Sequence, residues 1–284
     1  MQLNKGDKVG IVACSNPLEE ESREEIRELI LILKEWELEV IVSPYIYGID
    51  IPILARGKLC GETLMNFYQN TDIKAIFDIS GGNIANDVLE HLDYKVIRKN
   101  PKPLIGYSDL TCVINSVYSQ AAVPSILYQI RNICKDRTGK SKEMFYRSVF
   151  GEKKKLYDFS YEFIQGSSME GIVVGGNIRC FLKLAGTSYL PNVTDKILLI
   201  ESCSGDVPLI ITYLNQLKQM GVFQKIKGII LGTFTEMMKS ELKPEVAEII
   251  LQIIDNPKLP IAKTNEVGHS KYSKAVKIGE YINL

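Results

Sequence analysis

Short apolar runs rich in β-branched residues alternate along this chain with stretches whose apolar positions recur every three or four residues. Lys8-Val9-Gly10-Ile11-Val12-Ala13 reads as a buried strand and Glu39-Val40-Ile41-Val42 as a second. Between them, Ile26, Leu29, Ile30, Leu33 and Trp36 fall on one face of a helix over 19–36. The alternation continues with a helix over 63–69, a strand over 75–79, a helix over 86–92, the strand Leu104-Ile105-Gly106 and a helix over 111–118. This order predicts a parallel sheet with helices on both faces and its functional groups at the carboxyl ends of strands.

Between 132 and 168 the periodicity loosens, charges crowd in, and Gly139, Gly151 and Gly166 punctuate the chain. The stretch 136–168 therefore reads as a linker or flap. It separates an α/β domain over 1–135 from a second domain over 169–284. The second region begins at 171–177 and predicts strands at 196–201, 228–232 and 275–278, with helices at 208–220 and 244–254.

Composition narrows the picture. With 284 residues, 45% of them apolar, the chain can bury one large core or two ordinary ones without staples. Lys+Arg and Asp+Glu are 34 each, so no cationic surplus points to nucleic acid. The densest basic run, Lys153-Lys154-Lys155, reads as a solvated loop. No apolar stretch has membrane-spanning length, and the N-terminus lacks a signal peptide's apolar segment, which predicts a cytoplasmic protein with no membrane partner. Six cysteines lie at 14, 60, 112, 134, 180 and 203 without a Cys-x-x-Cys pair, and two histidines offer no zinc spacing. They read as thiols of a reducing compartment, Cys112 and Cys203 among them as packing residues.

Candidate chemistry centres on Gly106-Tyr107-Ser108-Asp109-Leu110-Thr111. A strand ends at Gly106, a serine follows two residues later, and a helix begins at once. That is the setting in which a hydroxyl is lifted out as a nucleophile, although a serine there can also simply cap the helix. A nucleophilic serine needs a base and the base an orienting acid. His91 ends a helix and reads as a surface imidazole. His269, behind Gly268 in a loop, is the candidate base, with a plain turn residue as the other reading. Glu201, at the carboxyl end of a buried strand, is the shielded acid, and Glu266 competes for that role. Asp109 is expected to cap the helix with its side chain and to turn its N–H toward an oxyanion. Gly81-Gly82-Asn83 offers a second main-chain donor at Gly82, or a cradle for a small anion. Gly175-Gly176-Asn177 either lines the site or starts a helix.

These pieces resemble one family nearly end to end. Residues 5–13, Gly81-Gly82-Asn83, Gly106-Tyr107-Ser108-Asp109-Leu110-Thr111, Gly175-Gly176-Asn177, Leu184-Ala185-Gly186-Thr187, 197–201, 228–234 and Gly268-His269 occur in the order of the serine carboxypeptidases. That family includes the LD-carboxypeptidases of murein recycling and the microcin C self-immunity proteins. Leu92-Asp93-Tyr94 and Asn100-Pro101-Lys102 look closer to the immunity branch. The resemblance implies an N-terminal parallel-sheet α/β domain, a C-terminal α/β domain with a swivelling β-barrel-like core, and a homodimer. It implies a Ser108–Glu201–His269 triad, an oxyanion hole of the Gly82 and Asp109 amides, and substrate contacts at Gly81, Asn83, Gly176 and Asn177. No metal and no cofactor are implied. Substrates would be small peptides or peptidyl-nucleotides cut near a free carboxylate or a nucleotide-linked C-terminus. The chain departs from the family in two places. Its one tryptophan, Trp36, lies in an early helix, where the immunity proteins carry a base-stacking tryptophan in a loop; Tyr157, Phe159, Tyr161 and Phe163 are the aromatics offered instead. Ser80 stands where LD-carboxypeptidases often carry Arg. A protein that only binds a small anionic peptide or nucleotide is the rival reading.

Overall fold

The computed structural model describes residues 1–48, 51–151 and 155–284; Lys153 and Lys154 of the basic run lie outside them. In chain order the first elements are β1 (Lys8–Val12), α1 (Arg23–Glu35), β2 (Glu39–Val42), α2 (Arg56–Gln69), β3 (Ile73–Asp78), α3 (Tyr94–Lys99), β4 (Leu104–Gly106), α4 (Thr111–Ala121) and β5 (Ser125–Leu127). Then come α5 (Asn132–Lys135), α6 (Lys140–Val149), β6 (Glu162–Gln165), β7 (Glu170–Asn177), α7 (Ile178–Leu182), β8 (Lys196–Ser202), α8 (Val207–Gln219) and β9 (Gly228–Phe234). The chain closes with α9 (Thr235–Lys239), α10 (Val246–Ile254), β10 (Ile261–Lys263), β11 (Val276–Ile278) and β12 (Tyr281–Asn283). The helix expected over 86–92 is a run of 3-10 turns, Ala85–His91.

Two α/β domains result, each on a six-stranded, mostly parallel sheet. The first has the order β11-β5-β4-β3-β1-β2, the second β12-β7-β8-β9-β10-β6 and a curled, half-barrel shape. Among the described residues only the β11–β5, β12–β7 and β10–β6 pairs are antiparallel. In the first sheet the strand order reverses between β1 and β3, so the loops after these strands open a crevice at their carboxyl ends. The buried Asp78 carboxylate ties them together, accepting from the Cys14 amide at 2.7 Å and from the Ser80 amide at 2.8 Å.

One apolar core covers the α2 and α4 face of the first sheet and continues without a break into the second, from Leu64 and Ile114 to Val174 and Leu199. The other face of the first sheet packs a separate core under α1, α5 and α6. The segment 136–168, which connects the two domains, packs on both of them. Phe145 and Val149 of α6 are buried, and Trp36 stacks on Phe145 at 6.0 Å between centroids. Ser141 and Ser148 occupy the other two buried positions of that helix face, so the apolar stripe was half hidden in the sequence. Farther along, β6 pairs with β10 of the second sheet. The division at 169 is crossed as well, because β11 leaves the second domain and pairs with β5 of the first.

Asp136 holds the turn into α6, accepting from the Thr138 amide and hydroxyl and from the Ser141 amide at 2.6–3.0 Å. Burial alone would raise its carboxyl, but these bonds outweigh it and hold the group at about 2. A depressed carboxyl stabilises the fold above the ordinary carboxylate range and stops doing so as pH falls through 2. The melting-temperature gap between wild type and Asp136→Asn should thus narrow steadily from pH 5 toward pH 2, as read by circular dichroism.

Candidate active site

Ser108 stands immediately beyond β4, in a turn that the chain can make only under strain. Its φ is +54°, a left-handed conformation that non-glycine residues rarely hold, while Tyr107 before it is extended. Such a turn presents the hydroxyl at the head of the sheet with α4 starting behind it. Gly106 allows it: a Cβ there would sit 2.8 Å from Leu110 Cβ.

The second domain brings an imidazole to the same place. His269 Nδ1 is 2.6 Å from Glu201 Oε2, and its ring packs on Tyr107 with centroids 4.4 Å apart. The His269 side chain is 12% exposed and that of Glu201 is fully buried. A carboxylate in that position is costly without a partner, and the imidazole supplies one. Nε2 of His269 is buried and makes no hydrogen bond among the described residues, on the side away from the acid. Burial, and next the Glu201 charge, push the Tyr107 phenol well above its ordinary value, so it stays a neutral wall of the site. Glu266 is engaged elsewhere, accepting from the Ser160 amide at 2.8 Å. His91 is half-buried beside Glu90, away from this cluster.

Gly268 is what allows the imidazole to approach. Its φ is +144°, and a Cβ there would lie 1.9 Å from Thr233 Oγ1. Gly268→Ala should lower kcat at least tenfold and cost about 1–3 kcal/mol of stability; urea unfolding and turnover measured side by side would check it.

The glycine turn after β3 packs on the loop that follows β1. Gly82 has φ +138°, and a Cβ would fall 2.3 Å from the Asn16 side chain. Asn16 Oδ1 accepts from the Asn83 amide at 2.9 Å. The Asp109 side chain does not cap α4 as the sequence suggested. It reaches sideways instead: Oδ2 accepts from the Ser15 hydroxyl at 2.6 Å and the Ala85 amide at 2.8 Å, and Oδ1 pairs with Lys183. The loop carrying Ser15 and Asn16 is held by Arg56, whose Nε donates to Ser15 O at 2.9 Å and Nη2 to Ala13 O at 2.8 Å.

Gly176 and Asn177 are placed where the domains join. Thr111 Oγ1 accepts from the Asn177 amide at 3.0 Å, and a Cβ on Gly176 would lie 2.8 Å from the same oxygen. Asn177 Oδ1 caps α7 by accepting from the Cys180 amide. Gly81 has open space around it. Trp36 is a core residue, and Phe159 is buried; Tyr161 is the exposed member of the four aromatics. Five cysteines are buried, but Cys203, expected to be a packing residue, is exposed where β8 ends. Burial raises its thiol, as does the Glu201 charge. Ser15, Asn16, Arg56, Arg179 and Lys183 went unnoticed in the sequence, since nothing local marks a residue whose partner lies on another strand. Among the described residues no group of three or more His, Cys, Asp or Glu side chains converges as a metal site.

A two-domain α/β protein with a strained serine, an imidazole and a buried carboxylate at its seam is of the serine-hydrolase class. Models of the LD-carboxypeptidase N-terminal and C-terminal domains match residues 9–128 and 170–284, and the chain belongs to that family. It is similar to the microcin C7 self-immunity protein MccF of Escherichia coli, 26% identical over 279 residues, covering 80% of this chain and 79% of that one. It is equally similar to a probable murein peptide carboxypeptidase of Bacillus subtilis (strain 168), 26% identical over 291 residues, covering 98% and 88%. In fold it matches the structure of MccF in complex with glutamyl sulfamoyl guanosine, with a TM-score of 0.86 at 21% identity over 99% of this chain and 94% of that one.

Proposed function

We propose that the chain is a serine carboxypeptidase that cuts an amide through an acyl-enzyme, with Ser108, His269 and Glu201 as its triad. The observation that carries the reading is the His269–Glu201 pair at 2.6 Å, packed by way of Tyr107 beside a serine held at φ +54°. Ser108 Oγ attacks the amide carbonyl carbon while its proton passes to His269 Nε2. Glu201, accepting from Nδ1–H, fixes the tautomer and stabilises the imidazolium that forms. The amides of Gly82 and Asp109 receive the negative oxygen of the tetrahedral intermediate. Nε2–H then protonates the leaving amine as the C–N bond breaks. Water, deprotonated in turn by His269, attacks the ester and releases the acid.

Substrates that fit the family are murein tetrapeptide and a peptidyl-nucleotide, bound over the Gly81-Gly82-Asn83 turn. Incubation with murein tetrapeptide and with an aminoacyl-sulfamoyl adenosine, followed by mass spectrometry, tests both. Cleavage of neither, together with no labelling of Ser108 by a fluorophosphonate, would favour a protein that only binds its anionic ligand. We place the protein in the cytoplasm as a homodimer. Six unpaired cysteines suit a reducing compartment, and light scattering would check the dimer. Among the described residues no helix is long and apolar enough to cross a membrane.

A further inference from the structure

The glycine turn after β3 has few means of its own to keep its shape. It belongs to no strand or helix, and Gly82 sits at a backbone angle open to glycine alone. Two cations of the other domain close over it. Arg179, in the first turn of α7, and Lys183, the residue that caps its C-terminal end, lie four residues apart and so point the same way. Arg179 Nη2 donates to Gly82 O at 2.8 Å, and Nη1 donates to Asn83 Oδ1. Lys183 Nζ donates to Asn83 O at 2.7 Å and to the buried Asp109 Oδ1.

We propose that Arg179 and Lys183 are positioning residues that set the oxyanion hole from across the domain seam; the inference rests on Gly82 and Asp109 being its donors. The peptide unit between Gly82 and Asn83 is gripped at both ends, by Arg179 on its carbonyl and by Asn16 Oδ1 on its amide. Gripping that plane anchors the carbonyl side of Gly82 and so narrows the range over which the adjoining Gly82 N–H can swing. Asp109 is fixed in the same manner: Lys183 holds one carboxylate oxygen, while Ser15 and the Ala85 amide hold the other. Ala85 follows the glycine turn closely, so Asp109 links the two donor segments and Lys183 touches both. Preorganised donors are worth most when they need no rearrangement as charge develops. The charges act as well. Lys183 is neutralised by Asp109, but among the described residues Arg179 forms no ion pair, so its positive charge remains beside the place where an oxyanion forms. The clamp also makes the hole conditional on the domains being closed, since its two halves come from different sheets.

The test compares wild type with Arg179→Gln, Arg179→Lys and the charge-balanced double variant Lys183→Met/Asp109→Asn, which leaves no buried charge unpaired. Two readouts are taken on the full chain: steady-state kinetics on whichever substrate wild type cleaves, and hydrogen exchange at the Asn83 and Ala85 amides. Arg179→Gln should lower kcat about 10–100-fold with KM within threefold, and exchange at both amides should quicken by at least tenfold. Arg179→Lys should recover part of the kcat, and the double variant should fold and behave like Arg179→Gln. A kcat within twofold of wild type in Arg179→Gln, or unchanged exchange at these amides, overturns the proposal. An inactive, unlabelled wild type would instead defeat the serine reading, while exchange would still report on the clamp.

Discussion

Ser108→Ala is expected to lower turnover by about 10⁴–10⁶-fold while substrate still binds. The argument is chemical before it is structural. Removing one oxygen deletes the atom that forms the acyl-enzyme, and the imidazole cannot make water as good a nucleophile at a site shaped for a side chain. What remains is the contribution of the oxyanion donors and of binding, which does not depend on the hydroxyl. The fold should be unharmed or slightly firmer. Alanine holds φ near +54° no better than serine, so the turn's strain is unchanged. Single-turnover assays, fluorophosphonate labelling and thermal melts together check this. A variant that keeps even a hundredth of wild-type kcat would move the nucleophile elsewhere, with the exposed Cys203 the next place to look.

Glu201→Gln should lower kcat by about 10²–10⁴-fold with little change in KM. The amide keeps the shape of the carboxylate but can present its NH₂ to His269, which turns the ring's other nitrogen into a donor and blocks proton acceptance from the serine. It also removes the charge that stabilises an imidazolium in a site closed to water, where Coulombic terms are strong. Because that imidazolium exists only during reaction, the loss falls on the rate and not on binding. Isothermal titration against the Ser108→Ala background separates the two. Normal turnover in Glu201→Gln would reassign the acid, although Glu266 is already occupied by the Ser160 amide.

Much of this site was legible because its key residues announce themselves locally. A serine two residues past a strand-ending glycine, a glycine ahead of a loop histidine and a glutamate closing an apolar strand are all patterns along one stretch of chain. The fold was legible for the same reason, since apolar periods of two and of three to four mark strands and helices without knowledge of their neighbours. What stayed hidden depends on approach between distant segments. Asp109 looked like a helix cap, and it became a cross-brace because Ser15 and Lys183 come within reach only in the assembled molecule. Tyr107 gave no sign that its ring would wall in an imidazole 162 positions away, a count from residues 107 and 269. The helix α6 inside 136–168 stayed hidden because two serines stand on its buried face where leucines would have marked the period.

The short pairing of Val276–Ile278 with Ser125–Leu127 carries a consequence for biogenesis. The outer edge of β5 has no neighbour until residue 278 has left the ribosome, so the half bearing Ser108 waits, with a strand edge open to strangers, for nearly all of the second half to be synthesised. Premature termination would therefore yield a sticky fragment and not a smaller working enzyme, and a nascent chain stalled short of that point should be a client of chaperones.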